Sequence, residues 1–251
     1  YWFEQLLLTN NACYKAGKKM AKVKGLMLHS TGANNPKLSR YIGPDDGILG
    51  KNPNGNHWNQ AGIEKCVHGL IGLDKNGEVR TYQTLPWQHR AWHAGGSANN
   101  THIGVEICED GLKDAVYFNK VYNEAVKLFA HLAKAFGLTH NDIIDHSEGR
   151  KKGIASNHGD VMHWFPKHGK SMNTFREDVR KAMNGQNGNT SPVVSKPTTS
   201  QSKPAGKTIS QLADEVMRGQ HGSGRERQIS LGANFAAVQK EVNRRLKTGK
   251  K

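Results

Sequence analysis

Two histidines and one carboxylate sit where they could hold a metal ion. His29 follows a short apolar run in Leu28-His29-Ser30-Thr31-Gly32, and ligands commonly stand at the carboxyl ends of strands in open α/β sheets. His146 closes a second apolar run, Ile143-Ile144-Asp145-His146, and a loop then leads to His158-Gly159-Asp160. Two imidazoles and a carboxylate form a catalytic zinc set when the fourth position stays open to water. Fourteen residues separate His146 from Asp160, and that spacing alone equally describes a solvated loop acid beside two surface histidines. The chain holds 13 histidines in 251 residues, so placement decides more than number. A second carboxylate, Glu106, lies in Ile103-Gly104-Val105-Glu106-Ile107.

The elements that must position these groups follow from periodicity. Val23 to Leu28 reads as a buried strand, with His29 at its end. Val67 to Leu73 and Glu78 to Gln83 flank Asp74-Lys75-Asn76-Gly77, a hairpin turn. In His102 to Cys108 the alternation turns Ile103, Val105 and Ile107 to one face and Glu106 to the other. Val121, Ala125, Leu128, Phe129, Leu132 and Phe136 mark an amphipathic helix that stops at Gly137, and Phe175, Val179 and Met183 mark another. Strands interleaved with helices predict an α/β domain with a mixed central sheet flanked by helices. Residues 33–63, rich in Gly, Asn, Pro and Asp, read as a long irregular loop, functional or mobile.

The formal charge is +15 and the pI about 9.8, so the surface attracts polyanions. Nucleic acid, an acidic membrane and an acidic cell wall all fit, as does charge kept for solubility. No apolar stretch approaches the roughly 18 residues of a membrane span, so an integral membrane protein is not expected. Tyr1-Trp2-Phe3 and Leu6-Leu7-Leu8 are interrupted by Glu4 and Gln5 and lack the features of a secretory signal. The first residue is not Met, which leaves room for an earlier segment. Cys13, Cys66 and Cys108 form no even framework and no CxxC pair, which fits synthesis in a reducing compartment. A Cys13–Cys66 disulfide is the alternative and is not the expectation.

Six short segments occur in one order: His29-Ser30-Thr31, Val67-His68-Gly69-Leu70-Ile71, Ala91-Trp92-His93-Ala94-Gly95, Ile103-Gly104-Val105-Glu106-Ile107, His146-Ser147 and His158-Gly159-Asp160. The series resembles the type 2 N-acetylmuramoyl-L-alanine amidases, relatives of the peptidoglycan recognition proteins, over about residues 20–183. The resemblance implies that His29, His146 and Asp160 hold a zinc ion and that Glu106 is the catalytic acidic residue. His158 stands where many members carry Lys, and a donor there would offset a developing oxyanion. Residues 33–63 are an atypical insertion, expected to shape the substrate groove. Trp92 and His93 are candidates for that groove, with core packing as the alternative for Trp92. His68 is a substrate contact or a satisfied polar residue, and His57 and Trp58 are weaker candidates. His163 and His168 are read as structural.

Residues 184–206, with three prolines, three glycines and many hydroxyl residues, read as a semi-extended linker. They separate a catalytic domain, 1–183, from a tail module, 207–248. In the tail, Ile209, Leu212, Ala213, Val216 and Met217 form one helical stripe after a Thr208/Gln211 capping box. Phe235, Val238, Val242 and Leu246 form a second, with a short helix over Arg225 to Leu231 between them, so a small three-helix module is expected. Residues 203–251 carry eleven Lys/Arg against four Asp/Glu. The tail resembles the CW_7 cell-wall-binding repeat of phage lysins, which implies that it binds the sugar–peptide unit of peptidoglycan. Asp214 and Arg227 are its candidate polar contacts, while His221 and Ser230 depart from the expected Trp and Arg.

Amidase, linker and wall repeat together resemble a phage endolysin, which implies residence in the host cytoplasm before release onto the bacterial wall. Two other readings fit parts of the sequence. A non-catalytic peptidoglycan recognition module is disfavoured by the presence of Glu106 and Asp160. A nucleic-acid binder, suggested by the charge, lacks a recognition helix or an aromatic RNA-binding motif.

Overall fold

The computed structural model describes residues 1–185, 208–217, 221, 227 and 230–248. The chain divides into two compact units, one within residues 3–190 and one within 191–251. Among the described residues, no helix is long and apolar enough to cross a membrane.

The larger unit is built on a sheet of six strands: β1 (Glu4–Gln5), β2 (Gly25–Asn34), β3 (Gly69–Leu73), β4 (Val79–Gln83), β5 (His102–Glu109) and β6 (Ile143–Asp145), in the order β1-β4-β3-β5-β2-β6. Only β3 and β4 pair antiparallel; β1–β4, β3–β5, β5–β2 and β2–β6 are parallel. The mixed sheet expected from the sequence is the one found. The β3–β4 hairpin turns where Asp74 Oδ1 accepts from the backbone N–H groups of Asn76 and Glu78. Gly77 supplies the positive φ of 78° that this turn requires.

Helix α1 is short (Ala12–Ala16), and α2 (Ala115–Ala135) covers one face of the sheet together with α4 (Met172–Met183). α2 begins six residues before Val121, because the Asp114 side chain caps it by accepting from Val116 and Tyr117 N–H. Its apolar stripe of Val121, Ala125, Leu128, Phe129 and Leu132 is fully buried, against Leu26, Leu28, Ile103, Val105 and Ile107 of the strands. Glu106 turns the other way, as the alternation requires. α3 (His146–Lys151) follows β6 without a break.

Beyond the end of β2 and a short turn of helix at Leu38–Arg40, residues 33–63 are irregular as expected, but they are packed down. β2 extends to Asn34, so His29 lies inside the strand rather than at its end. The remainder folds back on a second hydrophobic cluster in which Leu38, Tyr41, Ile42, Leu49 and Trp58 are buried with Leu70 and Tyr82. The Tyr41 and Trp58 rings meet edge to face at 5.4 Å. Composition hid this, because the apolar anchors are few and spread among turn residues. Cys13 and Cys66 also depart from the expectation of free thiols: they form a disulfide, and Cys108 is the free, buried cysteine.

The smaller unit contains α5 (Ile209–Met217) and α6 (Phe235–Thr248). Leu212, Ala213, Val216, Leu231, Val238 and Val242 share one buried cluster. Thr208 and Gln211 make the expected reciprocal cap. The short middle helix falls largely outside the described residues, where Arg227, Ser230 and Leu231 are helical, and so does nearly all of the linker.

Candidate active site

Three neighbouring strands deliver the central residues in a row. In the β2–β5 register His29 stands opposite Glu106, so both side chains share one face. In the β2–β6 register Leu28 stands opposite Asp145, which places His146, the next residue, beside His29. Asp145 also caps α3. Its Oδ1 accepts from Glu148 N–H at 2.7 Å, and the Glu148 side chain returns a bond to the Asp145 N–H. Its Oδ2 accepts from Val161 N–H at 3.2 Å, and Asp160 C=O accepts from Ser147 N–H at 3.2 Å. One buried carboxylate therefore ties the start of α3 to the loop that carries Asp160.

His29 Nδ1 lies 3.2 Å from Asp160 Oδ2 and 3.1 Å from His146 Nδ1, while His146 Nδ1 lies 3.8 Å from Asp160 Oδ1. Both ring orientations are set from behind. His146 Nε2–H donates to Ser156 C=O at 3.1 Å, which leaves Nδ1 bare. His93 Nε2–H donates to His102 C=O at 3.0 Å, so its Nδ1 accepts from His29 Nε2–H at 2.8 Å, and His29 Nδ1 is bare in turn. Gly104 makes room for this relay, because a Cβ there would meet the His93 ring at 2.5 Å.

Two lone pairs and a carboxylate converging in this way could share a cation. A tetrahedral zinc with bonds of about 2.1 Å sets its donors roughly 3.4 Å apart, close to the separations found. Without an ion a proton does the work. Burial opposes charge on His29, but the hydrogen bond to Asp160 and the nearby carboxylates outweigh it and raise the His29 pKa. Burial likewise opposes charge on Asp160, yet the His29 bond holds its pKa low. His146 is kept neutral, its pKa pushed down to about 4 by burial and then by His29. Neutral imidazoles are what a metal site requires.

Glu106 completes the cluster. Burial above all pushes its pKa up to about 7, with the charges of Asp160 and Glu109 also raising it and that of His29 opposing. Its Oε2 is buried and has no hydrogen-bond partner among the described residues. A carboxyl group poised near neutrality, with one oxygen uncommitted, suits proton transfer.

These groups line an open cleft of about 400 Å³, together with Ser30, Thr31, Gly32, His93, His158, Gly159 and His163. His158 is exposed, its ring centred 4.7 Å from that of His146, with Nδ1 3.1 Å from Ser156 Oγ. The other sequence candidates lie elsewhere. His68 is fully buried and both its nitrogens are engaged, accepting from Gly104 N–H and donating to His89 C=O. It braces the sheet and does not line the cleft. Trp92 is half-buried in a separate shallow groove with Glu64, Lys65, Arg90 and Asn99. Trp58 is a core residue, and His57 packs under Gly43. His168 stacks on Phe118 at 4.2 Å. His163, read as structural, binds Glu109 at 2.6 Å and also lines the cleft. In the tail Asp214 is exposed on α5, and Arg227 donates to Gln239 at 3.3 Å.

The family model for N-acetylmuramoyl-L-alanine amidase, Amidase_2, matches residues 19–162. The chain belongs to that family of amidases. Residues 210–246 of the amidase match the CW_7 repeat. No curated protein matches it. Among solved structures, that of the Staphylococcus aureus hydrolase AmiA in complex with its ligand is similar, with TM-score 0.53 and 18% identity over 74% of this chain and 86% of that one. The structure of PlyL is similar as well, with TM-score 0.51 and 19% identity over 72% of this chain and 98% of that one. At such identities the likeness shows the fold. The family match makes the enzyme a peptidoglycan amidase, and its reported class is compatible with the His-His-Asp group.

Proposed function

We propose that the amidase hydrolyses the amide between N-acetylmuramic acid and L-alanine with a zinc ion held by His29, His146 and Asp160. The observation that carries this is the meeting of those three donors beside the uncommitted oxygen of Glu106. When bound, zinc supplies Lewis acidity, which polarises a carbonyl and makes water more acidic.

The chain's own residues do the rest. Glu106 takes a proton from the attacking water and passes it to the L-alanine nitrogen as the amide bond breaks. His158, at the cleft mouth, offers a donor to the oxyanion of the tetrahedral intermediate. His93 and Ser156 hold the two ligand imidazoles in one tautomer, and Asp145 keeps His146 and Asp160 in register. Atoms balance as amide plus water giving a muramic carboxylic acid and a peptide with a free N-terminal alanine.

In the same reading the 207–248 module holds the enzyme on peptidoglycan through its CW_7 repeat, with Asp214 and Arg227 as polar contacts. A second binding site on the same chain raises the local concentration of substrate at the wall. This combination fits an endolysin acting on the bacterial wall after release from the host cytoplasm.

Mass spectrometry of digested peptidoglycan tests the reaction: new alanine N-termini without new glycan reducing ends are expected. New reducing ends with intact amide bonds would overturn it. Dialysis against a strong chelator should abolish lysis, with zinc restoring it; full activity of the metal-free protein would remove the ion from the reading.

A further inference from the structure

Behind the cleft wall, bonded to two residues that line it, lies a buried carboxylate that the reaction above does not use. Glu109 ends β5 with its side chain buried, accepting from Ser30 Oγ at 2.5 Å and from His163 at 2.6 Å. Its backbone N–H donates to Thr31 Oγ1 at 3.1 Å. Glu109 is thus bonded to Ser30 and Thr31, the two residues that follow His29 in β2.

His163 is the outward member of this set. Its side chain is 38% exposed, yet its Nε2 is clamped by Glu109 and its ring lines the cleft. A carboxylate on one imidazole nitrogen fixes both the tautomer and the ring direction. Nδ1 is thereby presented at a fixed position, and no hydrogen bond occupies it among the described residues. Beside it runs the backbone of Thr31 and Gly32, where β2 breaks its regular pairing with β5 between Ser30 and Asn34. Gly32 has φ 64° and open space around it, so this stretch of main chain is reachable.

A fixed imidazole beside exposed backbone suits an extended peptide, which is recognised through main-chain groups. It offers no broad aromatic face of the kind sugars stack on; Trp92 offers one in its separate groove. We propose that His163, oriented by Glu109 and Ser30, is a specificity-determining residue that contacts the stem peptide beyond its first alanine. This rests on the amidase reading of the same cleft.

The test compares wild type, His163→Ala and His163→Gln, each loaded with zinc, on two soluble substrates: N-acetylmuramoyl-L-alanine and the N-acetylmuramoyl tetrapeptide. Both variants should lose kcat/KM on the tetrapeptide at least about tenfold more than on the short substrate, chiefly through KM. Glu109→Gln should shift the ratio in the same direction. The Gln variant keeps a donor for Glu109, so it guards against loss of folding in the Ala variant. Equal losses on both substrates, or no loss on either, would overturn the proposal and leave His163 as a cover for Glu109. If wild type releases nothing from either substrate, the amidase reading fails, and this contact with it.

Discussion

At the scale of single residues, the decisive property is the environment of Glu106. Its pKa is raised to about 7 mainly by burial, and a base must be ionised to work. kcat/KM is therefore expected to rise with pH below that point, about tenfold per unit, and to level off above it. A bound dication favours the ionised form and moves the midpoint downward. Glu106→Gln should retain one zinc per chain while turnover falls by roughly 10³-fold; metal analysis beside a pH–rate profile checks both. Wild-type turnover in that variant would exclude Glu106 as the base. In the sequence, His29 and His146 stand out as candidates because each closes a short apolar run, while Glu106 gains a role only through the resemblance. Asp160 was a weak candidate from the residues alone, since 131 residues separate it from His29, and the resemblance singled it out. The bonds that His93 makes to His29 and His163 to Glu109 were not readable. Each depends on which distant atom lies behind the ring, and spacing along a chain says nothing of that.

At the scale of elements, the site depends on short pieces held by single polar groups. α3 is only six residues long, too short to be stable by itself, and Asp145 carries much of its definition. Its two oxygens accept from different segments, Glu148 N–H and Val161 N–H. Asn at this position keeps one acceptor and turns an NH2 group toward the other donor. Asp145→Asn is therefore expected to lower zinc affinity by about 10- to 100-fold, as read by competition with a chelator of known affinity. Unchanged affinity would mean that the loop holds Asp160 without it. Alternation and helical period located β3, β4, β5 and α2 in the sequence because each buries a regular stripe. The extension of β2 beyond His29 and the packing of 33–63 were hidden, because their contacts are irregular and come from anchors such as Leu38 and Trp58.

At the scale of the whole molecule, covalent and modular links set behaviour. The Cys13–Cys66 bond spans 53 residues, and in the chain-entropy account such a loop contributes about 4 kcal/mol. Reduction, or Cys66→Ala, should lower the denaturant midpoint accordingly; an unshifted midpoint would show the bond to be dispensable. The odd cysteine count concealed this pair, since Cys108 is simply a buried thiol that completes no bridge. Removing residues 203–251 should weaken sedimentation with walls more than hydrolysis of soluble muropeptides. Equal losses in both would assign the tail a structural part in the larger unit.

The sheet ends in two very short strands: β1 has two residues and β6 has three. Long bare borders invite other chains to zip on and seed fibres. Here one border is further guarded by charge, where Arg80 meets Glu4 at 3.5 Å. Crowding many copies together should therefore yield a clear solution rather than a gel.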